Sequence, residues 1–412
     1  MFSLLFIQNK MDLYKRTLYT QRIKPFIGKG IIKVLTGQRR VGKSCLLKQI
    51  QEEIKSEHPN AKIVYINKEH EEYRHIQTDE DLFSYLADKF RTEDDNYLFI
   101  DEIQDIKGFE HVLRSLQAKE TCDIFITGSN AKMLSGELST FLSGRYIEFH
   151  IHSLSYLEFM EFHELPDNDE TLTAYLTYGG MPYLSQLPLK PEIAFEYLRN
   201  VYSTIMLKDA VQRESIRNVD FLESLSLYVA DNVGNLFSAN NISRYLKSQR
   251  VDISPLLVIN YLHALSNAYI IHKVGRIDVN GLKKFEIGQK YFFEDIGLRN
   301  CHLGFNLQRD IQKIIENAIF LHLKVLQYEV FVGQKDKKEI DFVGIKQGKK
   351  IYVQATYLMP DEKTREREFG NLTDIQDNYP KYVVSLDPFN QGSDVNGIHH
   401  IHLRQFLKMQ DL

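Results

Sequence analysis

The chain has only three cysteines, Cys45, Cys122 and Cys301, which lie far apart and without metal-ligand spacing. That excludes a disulfide framework and a cysteine zinc site, and it suits a reducing compartment, so a cytoplasmic location is expected. Long apolar runs are also missing. None approaches the ~20 residues that a membrane-crossing helix needs, and no membrane partner is expected. There is no basic surplus either: 51 Lys and Arg stand against 55 Asp and Glu, for a net charge of −4. The chain as a whole therefore lacks the electrostatic footprint of non-specific nucleic-acid binding, although a local basic patch stays open. Internal repeats and low-complexity segments are absent.

What remains has the composition of a globular protein, 43% hydrophobic and 26% charged. A length of 412 residues suggests two to four domains at about 100–200 residues each. The first residues, Met1-Phe-Ser-Leu-Leu-Phe-Ile7, are apolar but have no basic n-region and no small-residue cleavage site, so they are not read as a signal peptide. Met11-Asp-Leu-Tyr-Lys-Arg16 looks like a more natural beginning, and residues 1–10 are read as an upstream extension or a loose arm.

Gly37-Gln-Arg-Arg-Val-Gly-Lys-Ser44 satisfies the phosphate-loop pattern G-x-x-x-x-G-K-S/T at every fixed position. An apolar β-branched run, Ile31–Thr36, precedes it, and a segment with helical apolar spacing, Cys45–Ile54, follows. Strand, glycine loop and helix start are the context that gives the pattern a mechanism. Gly37 and Gly42 let the backbone turn successive N–H groups toward an anion, and the helix adds its positive dipole end. In that frame Lys43 reaches the β- and γ-phosphates of ATP and Ser44 holds a magnesium ion. Arg40 and Cys45 complete the expected nucleotide contacts.

Through residue 150, short apolar runs (31–36, 62–66, 97–101, 122–127, 145–150) alternate with helical patterns, among them the stripe Phe109, Val112, Leu113 and Leu116 at i, i+3, i+4, i+7, which argues for a mostly parallel sheet covered by helices. The run Tyr97-Leu-Phe-Ile-Asp101-Glu102 ends in two acids: Asp101 is placed for the magnesium shell and Glu102 to polarise an attacking water. The next run ends Ile126-Thr-Gly-Ser129-Asn130, where Ser129 or Asn130 either positions water near the γ-phosphate or caps a following helix. Arg145 precedes the fifth run; its guanidinium is a candidate for stabilising phosphate charge, in its own subunit or across an interface.

These motifs resemble those of a prokaryotic AAA+ ATPase family whose members carry a C-terminal domain of uncharacterised, restriction-endonuclease-like fold. The likeness extends to Gly179-Gly-Met-Pro182, Lys208-Asp209 and Glu339-Ile-Asp-Phe342. It implies an α/β fold with a parallel core sheet of order 5-1-4-3-2 (11–150), a helical lid (151–215), a winged helix (216–290) and a nuclease-like α/β domain (291–412). It also implies ATP and magnesium as cofactors. DNA, a protein client and a second copy of the chain stay open as partners.

Residues 221–275 read as three helices and a strand, with Ser238 and Ser254-Pro255 as helix starts and a turn between Gly275 and Gly281. The third helix has no Lys or Arg, only Asn260, His263 and Asn267 as polar readers. Arg244, Lys247, Arg250, Lys273, Arg276, Lys283 and Lys284 flank it. That favours a structural or protein-contacting role over base reading. From about residue 291 the order changes to a helix (309–324), strands (326–332, 339–345, 350–356), a helix (361–378) and a strand (381–386), a second α/β unit. In this last domain, the resemblance puts Glu316 and Asp341 at metal-binding positions. Gln354 stands where a second acid belongs and Thr356 where the lysine belongs. A site stripped in this way reads as a binding or scaffolding domain, with Glu339 as a partial replacement. The expectation is an ATP-driven switch with slow hydrolysis and no nuclease activity. The alternatives are an ATP-controlled DNA-binding regulatory or mobile-element protein and an ATP-gated nuclease.

Overall fold

Residues Ile32–Thr36 form a strand buried along its whole length, which a strand can be only inside a sheet covered on both faces. The fold is known from a computed structural model that describes residues 14–90, 95–131, 142–248, 252–279, 284–304, 306–336, 338–388 and 394–412. The anticipated extension 1–10, together with Arg250, Gly281 and Lys283, lies outside the described residues. The chain divides into two units, Met1–Ile151 with Asn267–Tyr269, and His152–Ser266 with Ile270–Leu412.

The first unit runs α1 (Thr17–Ile23), β1 (Ile32–Thr36), α2 (Lys43–Glu57), β2 (Lys62–Asn67), α3 (Asp79–Leu86), β3 (Asn96–Asp101), α4 (Phe109–Ala118), β4 (Asp123–Gly128) and β5 (Tyr146–His150). All pairings are parallel and the order is β2-β3-β4-β1-β5, the anticipated 5-1-4-3-2 read from the other edge. Val34, Leu98, Ile100, Ile124 and Ile126 belong to one core with Phe109, Val112, Leu113 and Leu116, the apolar stripe of α4. Because the strands are parallel, the ends of β1, β3 and β4 share one edge. Ligands of open parallel sheets bind at that edge, where the strand order reverses.

The second unit begins with α5 (Tyr156–His163), α6 (Asp169–Tyr178) and α7 (Pro191–Ile205), which continues into a π-helical stretch, Met206–Gln212, that contains Lys208 and Asp209. Next come α8 (Val219–Asp231), α9 (Ala239–Ser248), α10 (Pro255–Asn267) and the hairpin β6 (Ile271–Asp278) and β7 (Lys284–Phe293), with an isolated bridge between Phe237 and Gln289. The remainder is α11 (Ile296–Leu303), α12 (Leu307–Val325), β8 (Glu329–Lys335), β9 (Lys338–Lys346), β10 (Lys349–Thr356), α13 (Glu362–Thr373), β11 (Lys381–Ser385), β12 (Asp394–Val395), β13 (Ile398–His402) and α14 (Leu403–Phe406).

One sheet of order β12-β13-β11-β10-β9-β8-β6-β7 carries the eight strands of this unit found among the described residues. It crosses the division anticipated at residue 290. The hairpin expected to close the three-helix segment pairs through β6 with β8, Arg276 opposite Val332. The cause is a shared apolar face: Ile277 and Val279 pack in one core with Phe331, Ile340 and Val343. The anticipated helix over 361–378 stops at Thr373. Beyond it, Asp377 accepts a hydrogen bond from the Tyr352 hydroxyl at 2.6 Å and one from Lys381 at 3.3 Å.

The cluster Gly179-Gly180 is a close approach. Gly180 N–H donates to Asp295 at 2.7 Å, and a Cβ on Gly179 would lie 2.4 Å from the same carboxylate. Asp295 also caps α11, accepting from Leu298 N–H at 2.9 Å, and burial pushes its pKa up to about 6. On α12, the fully buried Asn317 closes the end of β7. It accepts from Phe293 N–H at 2.8 Å and donates to Phe293 O at 2.9 Å. Asn317→Ala leaves both backbone groups buried and unpaired. It should lower stability by about 2–4 kcal/mol, read as a shift in denaturant midpoint; an unchanged midpoint would show that these groups find other partners.

Candidate nucleotide-binding site

At the end of β1 the chain turns through Gly37 with φ +138°, and a Cβ there would lie 2.2 Å from Ile151 O, so only glycine fits. Arg40 and Gly42 also adopt left-handed backbone, φ 72° and 96°, which bends the loop into the first turn of the 15-residue α2. Lys43 opens that helix and is 4% exposed. Its ammonium folds back over the loop and donates to Gly37 O at 2.8 Å and Gln38 O at 2.9 Å. Ser44 and Cys45 are half-buried in the same turn, while Arg40 is exposed. A glycine loop at the N-terminus of a long helix, with a lysine bound to the loop's own carbonyls, has the donors an anionic phosphate chain requires.

Asp101, at the tip of β3, is almost fully buried. Burial raises its pKa, opposed by hydrogen bonds from Ser44 and Thr127 and by the Lys43 charge. Asn67 on β2 donates to it at 3.3 Å. The Thr127 hydroxyl at the end of β4 donates to Asp101 Oδ1 and accepts from Glu102 N–H at 2.9 Å. Glu102 has left-handed backbone, φ 56°, uncommon for a residue with a side chain. Its carboxylate accepts from Ser129 Oγ at 3.1 Å and from Gln104 Nε2. Asn130 is buried beside Ser129. The helix that either residue was alternatively expected to cap lies outside the described residues. Asp101 with the Ser44 hydroxyl is an oxygen-only donor pair of the kind magnesium takes.

Lys43, Ser44, Asp101, Glu102 and Ser129 thus share one edge of the sheet. Arg145 does not. It precedes β5, and its carbonyl accepts from Ile32 N–H at 3.0 Å, at the start of β1. The loop begins at the other end of β1, where Thr36 pairs with His150, roughly 13 Å of strand away at ~3.3 Å per residue. The Arg145 backbone therefore stands at the end of β1 away from the loop. Thr127 and Asn67 were not singled out as site residues. Thr127 stood within a quoted motif, but no sequence signal marks Asn67.

In the second unit, α12, β9 and β10 bring Glu316, Asp341 and Gln354 together, with Thr356 also buried on β10. The expectation of a pocket with few acids and no lysine is corrected in two respects. Lys290 enters from β7 and lies 2.9 Å from Glu339, 3.5 Å from Glu316 and 3.5 Å from Asp341. Glu368 enters from α13 and accepts from Gln354 Nε2 at 3.0 Å. Both were invisible because they lie outside the motif spacing and come from other elements. On α10, Leu256 and Ile259 are exposed, together with Asn260 and His263.

The fold and the loop define the first unit as an AAA-type ATPase domain of the P-loop class, and residues 29–160 match the AAA domain family. Residues 169–309 match a domain of unknown function, DUF8612. An uncharacterised protein of Haemophilus influenzae is 34% identical over 403 residues, 96% of this chain and 98% of its own length. One from Methanocaldococcus jannaschii is 30% identical over 355 residues, 82% and 77% of the two chains. The chain belongs to the family of these proteins. Among solved structures, AMPPCP-bound DnaA from Aquifex aeolicus is 17% identical, with 60% and 85% of the two chains covered at a TM-score of 0.32. The Aeropyrum pernix ORC1 protein in complex with DNA is 12% identical, with 70% and 92% covered at 0.34. Both likenesses are too weak to bear on function.

Thr127→Val keeps the side-chain shape but strands Glu102 N–H and removes a donor from Asp101. A loss of about 1–3 kcal/mol in unfolding free energy is expected, with Thr127→Ser close to the parent. Equal stability of the valine and serine variants would show that the hydroxyl bridges nothing.

Proposed function

We propose that this protein binds ATP with magnesium and hydrolyses it slowly, and that nucleotide state acts as a switch that repositions a winged-helix module and a nuclease-like module. The observation that carries this reading is the Thr127 hydroxyl holding Asp101 and Glu102 in fixed relation beside the Lys43 loop. In the proposed mechanism, the loop N–H groups of Gly37 to Gly42 and Lys43 bind the phosphates. Ser44 and Asp101 hold the magnesium ion, which supplies charge neutralisation when bound. Glu102 polarises the attacking water and Ser129 and Asn130 orient it. Gln104 and Ser129 both donate to Glu102 Oε2, which holds the carboxylate in place while leaving acceptor capacity for a water. Arg145 serves the site of a second copy of the chain.

DNA as the controlled partner is the weaker reading. The exposed residues of α10 are led by Leu256, 66% exposed, and Ile259, 42% exposed, and of the Arg, Lys, Asn or Gln that base reading calls for they include Asn260 alone. A protein client suits that face better. No helix among the described residues is long and apolar enough to cross a membrane.

Lys43→Ala should weaken ATP binding by about tenfold or more, measured by calorimetry. Glu102→Gln should keep ATP bound while slowing hydrolysis by about 100-fold or more. Parent affinity in the first variant, or parent turnover in the second, would remove that residue from its role.

If Arg145 acts in trans, turnover per chain rises with protein concentration, and mixing Arg145→Ala with Lys43→Ala protein restores part of the rate. A rate independent of concentration, with no rescue on mixing, would leave Arg145 acting within its own subunit or not at all.

A further inference from the structure

The three carboxylates around Lys290 come from α12 and β9, whereas the lysine comes from β7. Lys290 is 2% exposed. Its ammonium, with three N–H donors and no acceptor, faces three acids: Glu339 at 2.9 Å, and Glu316 and Asp341 at 3.5 Å. Burial alone would lower the lysine's pKa, but the three acids more than offset it and hold it above the ordinary value. The number of donors matches the number of acids.

The other polar atoms nearby are largely committed as well. Asp341 Oδ2 accepts from Ala355 N–H at 2.9 Å, and Glu316 Oε1 accepts from Gln312 at 3.1 Å. Gln354 donates to Glu368 at 3.0 Å, and its carbonyl oxygen faces Asp341 N–H at 3.4 Å. Glu316 Oε2 is buried without a hydrogen-bond partner, leaving the Lys290 charge as its counterion. A Cβ on Gly234 would lie 2.4 Å from that same oxygen, so the backbone closes this side of the pocket.

A hard divalent ion takes six or more oxygens, several of them from water. Here the space between the acids is held by an ammonium group on a tether. Burial pushes the Glu316 carboxyl up to about 7 and raises Asp341 as well, so the pocket has no positive surplus to draw in a phosphodiester backbone.

We propose that this pocket is a cation site whose resident cation is the chain's own Lys290 ammonium, which ties β7 to α12 and β9 and keeps the second unit assembled without a divalent ion. Removing the ammonium uncovers a latent site for a hard divalent cation, since the buried Glu316 and Asp341, with the partly exposed Glu339 beside them, are then left without a counterion, which is strongly destabilising. The proposal deepens the reading of this unit as a non-cleaving module. It is independent of the ATPase reading and is tested without nucleotide.

The test is a Mn2+ titration of the full chain, followed by calorimetry and thermal unfolding in EDTA and in Mn2+. The parent should show no Asp341-dependent binding at about 1 mM Mn2+, and the same unfolding temperature in both conditions. Lys290→Met, which keeps the length and removes the charge, should unfold at lower temperature in EDTA. It should bind one Mn2+ at least about tenfold more tightly than the parent and recover stability with it. Lys290→Met combined with Asp341→Asn should lose both the binding and the rescue. Stoichiometric Mn2+ binding by the parent that Asp341→Asn abolishes would overturn the proposal, as would a folded Lys290→Met protein that binds no ion. If Lys290→Met does not fold, the parent titration decides alone: no Asp341-dependent binding upholds the proposal and its presence overturns it.

Discussion

One hydroxyl group joins the parts of the nucleotide site. Thr127 stands at the end of β4, between β3 and β1 in the sheet, and binds the Asp101 carboxylate on one side and the Glu102 backbone on the other. Asp101 is buried, which by itself favours its neutral form; the hydroxyls and the Lys43 charge work against that and favour the anion a metal requires. The N–H bond from Glu102 helps hold that residue in an uncommon left-handed conformation, which directs its side chain toward Ser129 and Gln104. Parallel strand order makes this possible: the tips of β1, β3 and β4 coincide only because the sheet is parallel and its order reverses at β1.

Much of the first unit was legible in the sequence. Five apolar runs each became a strand within a residue or two of the expected bounds, and the stripe Phe109, Val112, Leu113 and Leu116 became the buried face of α4. Local chemistry decides these elements: β-branched runs, glycines at left-handed positions and period-3.6 spacing act within a few residues of one another. Asn67 was not legible, because an asparagine at the end of a strand looks the same whether it faces solvent or a carboxylate one strand away. Which end of β1 Arg145 stands at was not legible either, because it required the direction of β5 relative to β1.

The second unit was legible as elements but not as partnerships. Most of its helices and strands were anticipated, yet the hairpin β6–β7 was assigned to the three-helix segment when its strands extend the C-terminal sheet. A strand pattern shows which face is buried and not which neighbour buries it. Lys290 illustrates the same limit: in Gln289-Lys-Tyr-Phe-Phe293 it reads as the polar residue of an edge strand, and only the fold brings it to three acids from other elements. The short β13 was missed because Ile398-His-His-Ile-His402 carries too few apolar residues to signal a strand.

The account stands on nucleotide hydrolysis, and the most direct measurement is phosphate release from ATP by the purified full chain, in magnesium and in EDTA. Slow turnover that needs magnesium and ceases in EDTA is the predicted result. Failure to bind or hydrolyse ATP with magnesium present, at every protein concentration tried, would contradict it.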